Sequence, residues 1–267
     1  MAKPNVTEAS MVRRCILSYM AVIEVHAKGN PIMPDLQIAA SDGSGTFHCH
    51  VVSPKTQPEA RGVVILIQEI FGVNAAMRLL SAWVADMGFI AVAPDLFWRQ
   101  APGVQLDPYA GQAEWDRAFA LYNGFDQARG LEDLAATIAA ARKLPRANGK
   151  VGTMGFCLGG RMAFKTAAHT DADCNVSYYG VGIEGLLDDA ARLRGPLLMH
   201  IAEKDKFVPA EAQAAIRSGL AGNPKVICHV YPGVDHAFAR MGGHSRDARA
   251  ATIANGRTAE FLVTHLG

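Results

Sequence analysis

Residues 155–160 read Gly-Phe-Cys-Leu-Gly-Gly, and they fall between a strand pattern and a helix pattern. Ahead of them Lys150 to Met154 is a short apolar run; behind them Arg161 to Ala168 reads as a helix. A Gly-x-nucleophile-x-Gly run at a strand-to-helix junction is a nucleophile elbow, here with cysteine where serine usually stands. The residue types follow from sterics. The turn is sharp, so the positions two before and two after the nucleophile, Gly155 and Gly159, must be small. The side chain is then thrust out above a sheet, at a helix N-terminus whose free N–H groups and dipole favour an anion. A cysteine there is expected to ionise more readily than a free thiol, and the backbone N–H of Leu158 is placed to stabilise an oxyanion. The competing reading is a buried structural cysteine in a glycine-rich turn.

The chain of 267 residues is long for one domain, yet within the range of α/β domains, and with half its residues hydrophobic it can bury a large core. A net charge of +1 and the lack of a dense basic run argue against nucleic acid. No apolar stretch reaches the length of a membrane span. The five cysteines (Cys15, Cys49, Cys157, Cys174 and Cys228) are odd in number and scattered, with no C-x-x-C pair. That pattern indicates a reduced, cytoplasmic chain rather than a disulfide scaffold or zinc site. Residues 11–23 carry two arginines and then an apolar run, but Ser18 and Tyr19 interrupt it and no small-x-small cleavage site follows. Residues 1–33 are therefore expected to be an extension outside the core, and 34–267 the folded domain.

From Asp35 the pattern is regular. Residues 36–41 and 46–52 suggest a hairpin around Asp42-Gly43-Ser44-Gly45. Val63 to Ile67 is rich in β-branched residues, as in a strand buried on both faces. A helix is expected over 74–87, a second buried strand over 89–93, and a long loop over 95–110 with Pro102, Gly103 and Pro108. Another helix should start near Gln112. Leu131, Leu134, Ile138 and Ala141 recur on one helical face. After the elbow, buried strands are expected near 197–201 and 226–230. Strands alternating with helices imply a mostly parallel sheet covered on both faces, with functional residues at the carboxyl ends of strands.

Two further groups arrive in the order that an α/β-hydrolase requires: nucleophile, acid, histidine. Asp205 lies just past the strand at 197–201, with Glu203 as the competing acid. His236 follows the strand at 226–230 in a loop containing Gly233. Cys157 would attack a carbonyl to form an acyl-enzyme, His236 would manage the proton, and Asp205 would fix the tautomer and stabilise the imidazolium. Because a thiolate is also a good leaving group, the chemistry suits activated esters. Glu69, after the strand at 63–67, is an unusual carboxylate beside the expected oxyanion loop, or else an ordinary capping or solvated glutamate.

These stretches resemble the dienelactone hydrolase (carboxymethylenebutenolidase) family. The similarity runs through Gln-Glu-Ile-Phe-Gly-Val-Asn at 68–74, Pro-Asp-Leu at 94–96, Arg-Gln-Ala-Pro-Gly at 99–103, Gly-Lys-Val-Gly at 149–152 and Phe-Cys-Leu-Gly-Gly at 156–160. It continues in Tyr-Tyr-Gly-Val-Gly at 178–182, Asp-x-Phe-Val-Pro at 205–209 and His-x-Phe-Ala-Arg at 236–240. The resemblance implies an α/β-hydrolase fold, a Cys157–His236–Asp205 triad, and a Glu69 that lies near the resting thiol until substrate displaces it. It implies oxyanion donation from the N–H groups of Leu158 and Ile70, and substrate contacts from Arg240 and Tyr178, with Tyr179 in the core or behind the site. It also implies a carboxylate-bearing enol lactone as substrate, opened to maleylacetate during aromatic degradation. The family's second carboxylate-binding arginine has no clear match. Alignment puts Glu114 or Trp115 there, with Arg117 nearby as a candidate. Ala237 stands where better-known members have serine. Trp115, Phe119 and Phe207 are candidates for an apolar pocket. No metal or cofactor is expected, nor nucleic acid or membrane as a partner, and the chain is expected to be monomeric. Another ester or thioester is the alternative substrate, and a non-catalytic thiol sensor a more distant alternative.

Overall fold

The computed structural model describes residues 36–55 and 62–267. The proposed extension at 1–33 lies outside the described residues. Among the described residues eight strands form one sheet in the order β1-β2-β4-β3-β5-β6-β7-β8. The strands are β1 Leu36–Ala39, β2 Thr46–Val52, β3 Val63–Ile67, β4 Ile90–Pro94, β5 Val151–Phe156, β6 Cys174–Tyr178, β7 Leu197–Ala202 and β8 Val226–Tyr231. β1 and β2 form the expected hairpin and β2 joins β4 antiparallel; every pairing from β4 to β8 is parallel. This is the α/β-hydrolase architecture.

The continuous apolar run of β3 serves both faces by alternation. Val64 and Leu66, with Ala91 and Ala93 of β4, pack under α1 (Ala75–Asp86) and α6 (Ala248–Leu266). Val63, Ile65 and Ile67, with Ile90 and Val92, face α3 (Gln127–Ala141) and α4 (Leu158–His169). α5 (Ala210–Gly219) covers the β7 end of the same face through Ala212 and Ile216. Each fully buried aliphatic side chain contributes about 1.5–3 kcal/mol relative to exposure, so the two-sided central strands hold the frame of the site rigidly. α1 starts where its cap dictates: the Asn74 side chain accepts from Met77 N at 3.3 Å.

Two strand expectations need correction. Cys174–Tyr178 carries no strong sequence signal, yet it is a fully buried strand. Its polar side chains bond inward: Thr153 Oγ1 donates to Asn175 Oδ1 at 2.7 Å, and Ser177 Oγ donates to the Gly160 carbonyl at 2.9 Å, while the buried Asn175 Nδ2 has no partner among the described residues. The strand at 226–231 is not buried. It is the last strand of the sheet among the described residues, mostly half-buried, with Ile227 exposed.

The long loop after β4 is organised by charged residues. Asp95 accepts from Phe97 N at 3.0 Å and Gly103 N at 2.7 Å. Arg99 grips both oxygens of the buried Asp133 of α3, at 2.8 and 3.1 Å. This fixes the approach to α2 (Gln112–Asn123), the helix that overhangs the end of the sheet carrying the elbow.

Candidate active site

Cys157 sits between the end of β5 and the start of α4 with φ 57° and ψ −115°, a conformation that residues with a Cβ avoid. Hydrogen bonds on both sides hold it there. Its N–H donates to Tyr178 O at 3.1 Å, and its carbonyl accepts from Arg161 N at 3.1 Å and Val181 N at 3.4 Å. The glycines of the motif are steric necessities. A methyl group on Gly155 would lie 1.9 Å from the Gly159 carbonyl oxygen, and one on Gly159 would lie 2.1 Å from that of Ile67. On Gly160 it would lie 2.7 Å from that of Tyr178. α4 is thereby seated directly on the ends of β3 and β6. Leu158, its first residue, has no intrahelical acceptor for its N–H.

Asp205 follows β7 and is buried, its Oδ1 accepting from Phe207 N at 2.9 Å. The Nδ1 of His236 lies 2.8 and 3.0 Å from the two oxygens of Asp205. Glu203 is directed elsewhere, accepting from Gly233 N at 2.8 Å. Burial alone would pull the His236 pKa down, but the neighbouring Cys157 sulfur and Asp205 outweigh it and push it up to about 10. Phe207 and Tyr179 stand edge-on to the imidazole at 4.8 and 4.9 Å. The structure thus brings Cys157, His236 and Asp205 together in one contiguous array.

Glu69 and Arg240 form a buried, two-pronged ion pair, with Nε to Oε2 at 2.7 Å and Nη2 to Oε1 at 3.1 Å. The guanidinium stacks over Phe71 at 5.4 Å and reaches Tyr109 Oη at 3.5 Å. Tyr109 is fixed in turn by His244, whose N–H it accepts at 2.9 Å and whose ring it stacks on at 4.0 Å. Sequence reasoning missed Tyr109, because nothing marks one tyrosine of a loop as the neighbour of a residue 131 positions away.

The adjacent tyrosines part company, and the expectation for Tyr178 is corrected. Tyr178 points away from the cavity; its hydroxyl bonds Thr258 Oγ1 at 2.7 Å and Asn255 Oδ1 at 3.0 Å, tying α6 to the sheet. Tyr179, at φ 38°, turns toward the site. Burial first, then the Glu69 charge, hold its hydroxyl well above the ordinary phenol pKa, and that buried oxygen has no hydrogen-bond partner among the described residues. Three of the four described non-glycine residues at positive φ (Cys157, Tyr179 and Ala237) are at the site, a concentration of backbone strain typical of functional centres.

Cys157, His236 and Arg240 open onto a cavity bounded by Ile70, Phe71, Val181 and Phe207, and by Trp115, Phe119 and Tyr122 of α2. Arg117 does not line it. That residue is exposed, on the far side of the helix, and the candidacy of Arg117 as the second cation fails on position. Glu114 is also directed away, accepting from Asp107 N at 2.9 Å. Trp115 occupies the wall instead. Among the described residues no group of three metal-ligating side chains comes together, and no helix is long and apolar enough to cross a membrane.

Comparison with known proteins gives the family and the fold. A model of the dienelactone hydrolase family matches residues 47–266. A protein of Azospirillum brasilense, provisionally named a carboxymethylenebutenolidase, is 51% identical over 236 residues, 88% of this chain and 100% of that one. The carboxymethylenebutenolidase of Pseudomonas putida is 43% identical over 227 residues, covering 85% of this chain and 94% of the other. A crystal structure from Klebsiella pneumoniae, described provisionally as a dienelactone hydrolase, superposes with a TM-score of 0.72 at 27% identity, over 85% of this chain and 97% of that one.

Proposed function

The chain belongs to the dienelactone hydrolase family and is a hydrolase of an ester-type bond in a small lactone; from that premise we propose that it opens carboxylate-bearing dienelactone to maleylacetate through an acyl-enzyme on Cys157. The observation that carries this reading is the Cys157–His236–Asp205 array at the elbow, with His236 Nδ1 held 2.8 and 3.0 Å from the two oxygens of Asp205.

Cys157 Sγ adds to the lactone carbonyl. The developing oxyanion is met by the N–H of Leu158, which has no intrahelical acceptor, and by the N–H of Ile70, on the loop beside the cavity. Collapse breaks the ring C–O bond. The departing enolate takes a proton from the His236 imidazolium and tautomerises to a ketone, which makes its return unfavourable. His236, now neutral and oriented by Asp205, draws a proton from water as that water attacks the thioester; hydroxyl and acyl carbon join, and Cys157 leaves as thiolate. Arg240 receives the substrate carboxylate in the geometry it now offers Glu69. Glu69 released from that pair is a nearby carboxylate able to accept the thiol proton.

Ring opening expels no fragment, so the thioester adduct carries the full mass of the substrate. Acid-quenched mass spectrometry within the first turnover should find that mass on the peptide containing Cys157. An adduct on another residue, or turnover by Cys157→Ala, contradicts the assignment.

A further inference from the structure

The α2 wall of the cavity has a chemistry of its own. Trp115 and Phe119 are four residues apart on α2 and so share a face. Phe71 meets Trp115 edge-on at 4.9 Å, and Trp115 meets Phe119 at 5.7 Å, forming a continuous aromatic ridge. Trp115 is locked, because its indole N–H donates to the Pro108 carbonyl at 2.8 Å. Its one polar atom is thus already used, and the ridge offers a ligand only apolar surface. Arg240 is the one arginine or lysine among the described residues that line the cavity, and it sits at the Phe71 end of the ridge. Phe119 at the other end is 39% exposed, an aromatic face in water at the mouth of a reactive site. A carboxylate or hydroxyl placed against this wall would lose its water without gaining a partner.

We propose that Trp115 and Phe119 form a specificity wall for a flat apolar substituent, so that the enzyme selects esters or enol lactones bearing one carboxylate for Arg240 and an aryl or extended alkenyl group for the ridge. This rests on the hydrolase reading above and narrows its substrate class. The selectivity comes from covering ring surface that is otherwise wet and from ring–ring contact, which together correspond to about a tenfold preference for an aryl over a methyl substituent.

The test separates binding from turnover. Protection of Cys157 against iodoacetamide is measured with two simple carboxylates, hydrocinnamate and butanoate, in the wild type, Phe119→Ala and Phe119→Leu. kcat/KM is then compared for dienelactone and an aryl-substituted enol lactone. Hydrocinnamate should half-protect at about a tenth of the butanoate concentration. That ratio should fall to about two in Phe119→Ala and partly recover in Phe119→Leu, while butanoate protection is unchanged. The kcat/KM preference should follow the same order. Equal protection by the two acids in the wild type, or an undiminished ratio in Phe119→Ala, overturns the proposal. Turnover of dienelactone without an aryl preference defeats this inference alone; aryl-selective protection without turnover of either lactone upholds the wall and defeats the reaction assigned above.

Discussion

Gly159→Ala tests whether the elbow works by close approach of helix to sheet. The added methyl would lie 2.1 Å from the Ile67 carbonyl oxygen and 2.7 Å from both the Ile67 carbonyl carbon and the Gln68 oxygen. All three are backbone atoms of the β3 end, so no side chain can swing aside. Relief to an ordinary contact requires α4 to retreat by about 1 Å. Overpacking of this kind costs about 1–3 kcal/mol. The larger effect is catalytic: the same retreat carries Cys157 and the Leu158 N–H away from the reacting carbonyl, and a displacement near 1 Å costs about 10²-fold in rate. Gly256→Ala in α6 is the control, because a methyl there meets nothing within 4 Å. It should stabilise the protein by about 0.4–1 kcal/mol with unchanged kcat. The assay is urea denaturation with kcat on the same preparations. A Gly159→Ala enzyme of wild-type stability and wild-type kcat would refute the steric account of the motif.

Three other outcomes are expected. Glu69→Gln leaves the buried Arg240 charge without its counterion, which should cost about 3–5 kcal/mol of stability; if Glu69 holds back the thiolate, iodoacetamide should also label Cys157 faster in this variant without substrate, and equal rates would remove its gating role. Arg117→Ala should alter kcat/KM less than twofold, whereas Arg240→Met should lower it by about 10²-fold or more, since a charge-assisted two-pronged contact is lost; a large Arg117 effect would return that residue to the site. His236 is protonated to higher pH when folded than unfolded, so its contribution to stability is complete below about pH 6.5 and is lost as pH rises toward about 10. An NMR titration of its ring protons should show the midpoint near 10, moving down in Cys157→Ala; a midpoint in the ordinary histidine range in the wild type would contradict the pairing.

The parts of the site that were legible in the sequence are those fixed by local chain geometry. The elbow glycines mark a turn that no other residue fits, and Asp205 and His236 sit just past strands, where parallel sheets gather functional groups. What was not legible depends on which way a side chain faces. Tyr178 and Tyr179 are neighbours of one type, yet successive residues at a strand end point to opposite faces, and positive φ at Tyr179 turns only that ring toward His236. Similarly, Trp115 and Arg117 are two apart on a helix, a spacing that puts them on different faces. β6 escaped notice because its buried Asn175 and Ser177 look like loop residues until their partners on β5 and α4 are seen. β8 looked buried because Val226 to Val230 is largely apolar, although among the described residues no further strand pairs with its outer edge.

The most direct test of the central claim is ring opening of cis- and trans-dienelactone by wild type and Cys157→Ala, with the product identified. The account predicts loss of lactone absorbance with formation of maleylacetate in the wild type, and a rate lower by about 10³-fold or more in the variant. Turnover retained in Cys157→Ala, or a folded wild type that leaves both lactones intact, would contradict it.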